Sequence, residues 1–207
     1  MDDRQYAPAT ERNREAILEV LLQVLPPTGT VLEISSGTGE HAVFFAPRLA
    51  PRNWQPSDPN PITRNSIAAW QIHHPADNLY PPIALDVRDP IWPVEQDEPT
   101  EPITAIININ MIHIAPWSAC LGLFDGAKRI LPAGGILYLY GPFRQNGHHT
   151  APSNAAFDQS LRSQNSEWGV RDLEKVVTVA QSRRFNLLKV LPMPANNLSV
   201  TFQASST

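Results

Sequence analysis

The stretch "LEISSGTGEH", Leu32 to His41, decides how this chain is read: a hydrophobic run, then two serines and two glycines, then an acid and a histidine. Thr30 to Ile34 is a short run of β-branched residues and leucine, hence a strand, and His41 to Leu49 has the pattern of a helix. Between them lies a turn of small residues. Glycines in such a turn let the backbone approach a ligand with no Cβ in the way, and the following helix offers unpaired N–H groups. The stretch therefore has the form of a loop that holds a nucleotide-like cofactor.

Working outward, Ile17, Leu18, Leu21, Leu22 and Leu25 fall at helical spacing and predict a helix over Glu11 to Leu25. Trp54 to Ser57 reads as a brief second strand. Asn60 before Pro61 is an N-cap followed by proline at the first helical position, and it opens a helix to about His73. Ile83 to Asp86 is expected as a third strand, Ala105 to Ile109 as a fourth, Trp117 to Leu131 as a helix and Gly135 to Tyr140 as a fifth strand. Two late runs, Phe185 to Leu191 and Leu198 to Phe202, flank the turn-forming "PMPANN" and predict an antiparallel pair at the sheet edge. Strands alternating with helices imply an α/β fold with a mostly parallel sheet and helices on both faces. The 21 prolines mostly punctuate these elements.

Composition bounds the rest. A chain of 207 residues that is 42% hydrophobic and 17% charged suits one globular domain over residues 1–207. Its net charge of −4 lacks the cationic field of a nucleic-acid binder. Cys120 is the only cysteine, so no intrachain disulfide forms, and the charged first twenty residues with no long apolar run point to a cytoplasmic protein without a membrane span. The adjacent pairs His73-His74 and His148-His149 lack the spacing of metal ligands and are expected at the surface, with no metal bound. Residues 141–172 are polar, rich in Asn, Arg and aromatics, and are expected to cover a substrate site.

The glycine loop can be counted in two registers. From Gly37, the letters Gly-Thr-Gly-Glu-His-Ala satisfy the dinucleotide pattern G-x-G-x-x-G/A, with Asp58 about twenty residues on as ribose acceptor. From Glu33, an acid at a strand end precedes Ser35, Gly37 and Gly39, a spacing seen in S-adenosylmethionine (SAM) sites, where the cationic amino-acid moiety calls for a carboxylate. Asp58 after the second strand and Asp86 after the third can accept from ribose hydroxyls and from an adenine amino group. Acids at three successive strand ends favour SAM over NAD.

The segments "RNREAIL", "VLEISSGTGEHA", "WQPSD", "NMIHIAPW", "YGPF", "SNAAFD", "WGVRDLE" and "MPANN" together resemble the methyltransferase-like 26 family of class I SAM-dependent methyltransferases, from about Tyr6 to Phe202. The resemblance implies a Rossmann-like seven-stranded methyltransferase fold with an antiparallel C-terminal hairpin, and SAM as cofactor. It carries Glu33, Ser35, Gly37 and Gly39 onto the cofactor loop, Asp58 onto the ribose acid and Asp86 onto the adenine acid. It also puts Asn110 at the methyl end and Arg12 and Asn13 over the cofactor. Many class I enzymes have glycine where this chain has Ser35.

Methyl transfer needs in-line alignment and, for a neutral acceptor, somewhere for a proton to go. His113 is the first candidate for that base or for orienting the acceptor; flanked by apolar residues, it also fits a buried, hydrogen-bonded imidazole. Tyr140 and Arg144 flank "GPF" on the same crevice. Asn146, Asn154, Asp158, Arg171 and Asn196 are candidate contacts to a small-molecule acceptor, alongside Arg162, Trp168 and Asp172 in the polar cover. Three readings follow: a methyltransferase acting on a small molecule, a SAM-binding protein without turnover, and an NAD-dependent oxidoreductase. The acceptor and the oligomeric state are not fixed by sequence.

Overall fold

The computed structural model describes residues 2–97 and 99–206. The chain begins with helix α1 (Pro8–Val24), then strand β1 (Thr30–Ile34), α2 (Glu40–Arg48), β2 (Asn53–Pro56) and α3 (Pro61–His73). After a long connection come β3 (Ile103–Ile109), α4 (Trp117–Ile130) and β4 (Ile136–Gly141). The short pieces β5 (Phe143–Gln145), β6 (His148–His149), α5 (Pro152–Gln164) and β7 (Arg171–Asp172) follow, and α6 (Leu173–Ser182), β8 (Phe185–Met193) and β9 (Asn197–Ala204) complete the fold.

Six strands form the main sheet in the order β2-β1-β3-β4-β9-β8. The first four run parallel, and β9 pairs antiparallel with both β4 and β8, which makes the expected edge hairpin. Along β3 successive residues alternate between two cores. Ala105 and Ile107 face α1 and α2, packing with Ile17, Leu21, Phe45 and Trp54, whereas Ile106 joins Leu123, Phe124, Val176 and Phe202 on the α4 and α6 side. A strand buried on both faces reads as an unbroken apolar run, as "ITAIINI" does.

The third strand expected at Ile83 to Asp86 is not formed as a ladder. Instead the chain from Asn78 to Ile83 lies parallel to β2 and touches it through two isolated bridges, Trp54 with Leu79 and Ser57 with Ile83. Pro81 and Pro82 have no N–H to give between those bridges, so a continuous ladder cannot close. This segment occupies the seventh strand position beside the six-stranded sheet. Helix α1 starts at Pro8, earlier than the apolar spacing indicated, because proline fits its first turn. The polar stretch 141–172 is more ordered than a cover loop: β5, β6 and β7 form a second sheet in the order β6-β5-β7, turned at Asn146 and Gly147, whose φ values are 50° and 77°.

Trp92, fully buried in the α4-side core, lies flat against α4 at Gly126, where an added Cβ would fall inside the indole ring. Gly126→Ala is therefore expected to destabilise the protein by about 1–3 kcal/mol through overpacking. A shift of the urea midpoint at constant slope checks it; an unchanged midpoint would mean that the indole swings aside freely.

Candidate functional site

The loop between β1 and α2 is shaped by three left-handed residues, Ser35 (φ 54°), Gly37 (φ 58°) and Gly39 (φ 92°). Gly39 has no room for a side chain, since a Cβ would lie 2.7 Å from the Ile67 Cα of α3. Above Gly37 the space is open, with nothing within 4 Å of a Cβ position. Ser35 adopts its left-handed turn without being glycine.

Polar bonds pin this loop to β2. Asp58, 6% exposed, accepts from Gly37 N (3.1 Å) through one carboxylate oxygen and from Asn60 N (2.9 Å) through the other. Ser57 N and Ser57 Oγ both donate to the Glu33 carbonyl (2.9 and 2.7 Å), and Ser57 N also donates to Ser36 Oγ (3.1 Å). Ser36 is a positional residue that sequence reasoning missed; the doubled serine was its signal. Beneath the loop, Glu33 is 2% exposed and its Oε2 accepts from Trp54 Nε1 at 3.0 Å. Burial pushes the Glu33 carboxyl up to about 7, the hydrogen bonds from Trp54 and Ser36 oppose the rise in part, and the nearby Asp58 charge adds to it. Asp86, the third acid, is half-buried and paired with Arg88 at 2.6 Å, which holds its carboxyl below the usual range. The structure thus brings Glu33 and Asp58 together at the loop, with Asp86 committed to a neighbouring guanidinium.

Asn110 ends β3 in a left-handed turn (φ 65°), its N–H on the Tyr140 carbonyl (2.8 Å) and its own carbonyl accepting from His113 N (3.0 Å). His113 has no exposed surface. Its Nδ1 accepts from Arg171 N at 3.3 Å, its ring meets Phe143 edge-on at 5.0 Å, and Nε2 has no partner among the described residues. Burial first, then the Arg171 charge, pushes this imidazole down to about 3, so it is neutral with its proton on Nε2. It packs so tightly on β4 that a Cβ at Gly141 would lie 2.6 Å from Nε2. One residue before β3 ends, Asn108 is 1% exposed, donates to the Ile34 carbonyl at 3.1 Å and leaves Oδ1 unpartnered among the described residues. Nothing in "INI" distinguished it from a core residue.

Tyr140 faces the other side of the sheet, 2% exposed, where hydrogen bonds to Asn197 and Asn13 only partly offset the burial that raises its hydroxyl pKa. Asn13 on α1 also accepts from His41 Nε2 at 2.8 Å, while Arg12 beside it is exposed. Ahead of α1, Ala7 N donates to the Glu40 carboxylate (2.6 Å), so the N-terminal segment is tied to the first turn of α2.

The residues expected to meet an acceptor fall into separate groups. Asn154 Nδ2 donates to the Asn196 carbonyl at 2.9 Å, joining α5 to the "MPANN" turn. Asn146 is exposed in the β5–β6 turn, with its N–H on Glu174. Asp158 is buried and accepts from Val170 N (2.7 Å) and Arg162 Nε (3.1 Å). Arg144 pairs with Asp172 at 2.7 Å, and the Arg171 guanidinium donates to the carbonyls of Ile112 (2.9 Å), Ala115 (2.6 Å) and Glu167 (2.8 Å). His73, His74 and His148 are exposed, and His149 lies 3.5 Å from Asp158. Among the described residues no group of three His, Cys, Asp or Glu is placed to hold a metal, and no helix is long and apolar enough to cross a membrane.

The sheet order, the glycine turn after β1 and the antiparallel β8–β9 edge define the α/β fold of class I SAM-dependent methyltransferases. An O-methyltransferase family protein from Burkholderia thailandensis superposes with a TM-score of 0.77 at 13% identity, covering 96% of this chain and 57% of its own. An O-methyltransferase family 2 protein from Planctomyces limnophilus, solved with apigenin, gives 0.70 at 19% identity, covering 92% and 61%. A methyltransferase of calicheamicin biosynthesis with S-adenosylhomocysteine (SAH) bound gives 0.70 at 13% identity, covering 92% and 54%. The chain thus spans little more than half the length of these proteins. It belongs to the family described as "Protein of unknown function (DUF938)", which matches residues 4–204.

The raised Glu33 carboxyl links stability to pH. It titrates near 7 when folded, against an ordinary 4.5, so the folded state keeps a proton that the unfolded chain has released. That contribution is fully present below 4.5 and is lost as pH rises through 7. Glu33→Gln keeps an acceptor for Trp54 and removes the titration. Its stability relative to the parent should rise by about 2–3 kcal/mol between pH 5 and pH 8 in urea melts, and parallel pH profiles would refute the assignment.

Proposed function

We propose that this protein is a SAM-dependent methyltransferase acting on a small molecule, and that within its fold class it belongs with the methyltransferase-like 26 proteins. The observation that carries the reading is the loop over Glu33: a turn open above Gly37, held by Asp58, with a buried carboxylate beneath it. That donor set fits the cofactor. Glu33 supplies negative charge toward a cationic amino-acid group, and a bound cation would favour its ionised form. Asp58 keeps lone pairs beyond its two backbone bonds for ribose hydroxyls. Asp86 can accept from an adenine amino group while sharing Arg88. Asn110 and Asn13 border the crevice from β3 and α1, with Arg12 at the rim.

When bound, SAM supplies an electrophilic methyl group on a sulfonium. The chain's own part is alignment. His113, neutral and facing Arg171 N through Nδ1, holds the 110–113 turn against Gly169 and Arg171 and so positions Asn110. Tyr140 on one face and Arg144 on the other flank the end of β4, and segment 141–172 covers the acceptor, with Asn146, Asn154, Asp158, Arg171 and Asn196 shaping that cover. Neighbours of the same fold solved with apigenin or with SAH support a small-molecule acceptor and this cofactor. One buried cysteine, Cys120, fits a cytoplasmic location. Complete burial of His113 favours one second reading, a SAM-binding protein without turnover of its own.

Calorimetric titration with SAM, SAH and NAD in parallel tests the proposal. Micromolar SAM and SAH binding with no NAD heat is expected, and Asp58→Ala should weaken SAM by about 1–3 kcal/mol, the usual loss of hydrogen-bond partners in a buried site. NAD binding alone would overturn the reading in favour of the Gly37 register.

A further inference from the structure

A cavity of about 460 Å³ opens on the α4 and α6 side of the molecule, and none of Glu33, Ser35, Gly37, Gly39 or Asp58 lines it. Its volume is in the range of sites that take small organic ligands, about 300–1,000 Å³. Four of its nine lining residues are cationic, Arg144, Arg162, Arg171 and Lys175, and one, Asp172, is acidic. In a chain of net charge −4 such a concentration is local.

The pairing of these charges leaves an excess. Asp172 serves both Arg144 at 2.7 Å and Lys175 at 3.8 Å, and Arg162 pairs with Asp158 at 3.1 Å. Arg171 has only the carbonyls of Ile112, Ala115 and Glu167, which orient a guanidinium without neutralising it. Four cations therefore meet two carboxylates. One wall is flat and apolar: the Trp117 ring, with the Arg171 guanidinium 5.6 Å from its centroid, and two valines. Guanidinium forks match carboxylate oxygens in pairs, and an indole face takes a planar ring.

We infer that this cavity is a binding site for a small aromatic carboxylate, its ring against Trp117 and its anion among Arg144, Arg162 and Lys175. Binding is read without cofactor, so the inference stands or falls separately from methyl transfer.

The probe is 4-hydroxybenzoate, followed by Trp fluorescence and calorimetry on the intact chain, with 4-hydroxybenzamide and inorganic phosphate as comparisons. Saturable binding of the benzoate is expected, with the uncharged amide and phosphate at least about tenfold weaker. Lys175→Glu changes a side chain that is 74% exposed and should fold, and it should weaken the benzoate about tenfold. Arg144→Gln should act in the same direction, and Lys189→Glu on β8 should have no effect. Equal affinity for the amide, phosphate as tight as the benzoate, no binding at all, or equal losses from Lys189→Glu and Lys175→Glu would each overturn the site.

Discussion

The hydrogen bond from Trp54 Nε1 to the Glu33 carboxylate holds a group that water would otherwise claim between two parallel strands. A carboxylate with 2% exposure is costly to ionise unless it is answered, and a single indole donor answers only part of it. The rest of the loop follows from that constraint. Glu33 also offers its carbonyl to Ser57, which sets the end of β2, and the next residue, Asp58, reaches back to Gly37. Two acids are thereby brought within electrostatic reach at one strand edge, and the Asp58 charge adds to the cost of ionising Glu33. Two acids at one strand edge favour a neighbouring cation over a further anion.

The elements around the loop were legible because they are long or punctuated. β1, α2, α3 with its Asn60 cap, α4 and the β8–β9 hairpin all match their apolar periods, and the cap is formed as read, with Asn60 Oδ1 accepting from Ile62 N at 2.9 Å. What escaped was short or non-local. Strands of two and three residues give no alternation to count, so the β5–β6–β7 sheet within the polar stretch is not legible from periodicity, although Asn146-Gly147 is a hairpin dipeptide. The third strand expected at Ile83 to Asp86 is replaced by bridges at Leu79 and Ile83, and Pro81 and Pro82 between them have no N–H with which to close a ladder. Trp54 could not be named as the partner of Glu33, because only the pairing of β1 with β2, which sets Trp54 opposite Val31 and Glu33 opposite Pro56, brings the indole diagonally within reach of the carboxylate.

The site residues divide on the same physical line. Gly37, Gly39 and Asp58 act through backbone geometry within one turn, which spacing reveals. Asn154 and Asn196 meet across 42 residues of sequence, and Asp86 is answered by Arg88 two positions on, a pairing that was open to a local reading. His113 lies among apolar neighbours in "MIHIA", and its ring is enclosed by Phe143, Gly141 and the 169–171 backbone, contacts that come from three distant segments and leave no local signal.

That enclosure gives the 110–117 segment two faces. On one side its first residue turns the chain at the end of β3, beside the Tyr140 carbonyl; on the other its carbonyls at Ile112 and Ala115 hold the Arg171 guanidinium at the wall of the cationic cavity. The Arg171 N–H in turn donates to His113 Nδ1, and His113 N donates to the Asn110 carbonyl, so a chain of three hydrogen-bonded residues runs from the wall of the cavity to the turn at the end of β3.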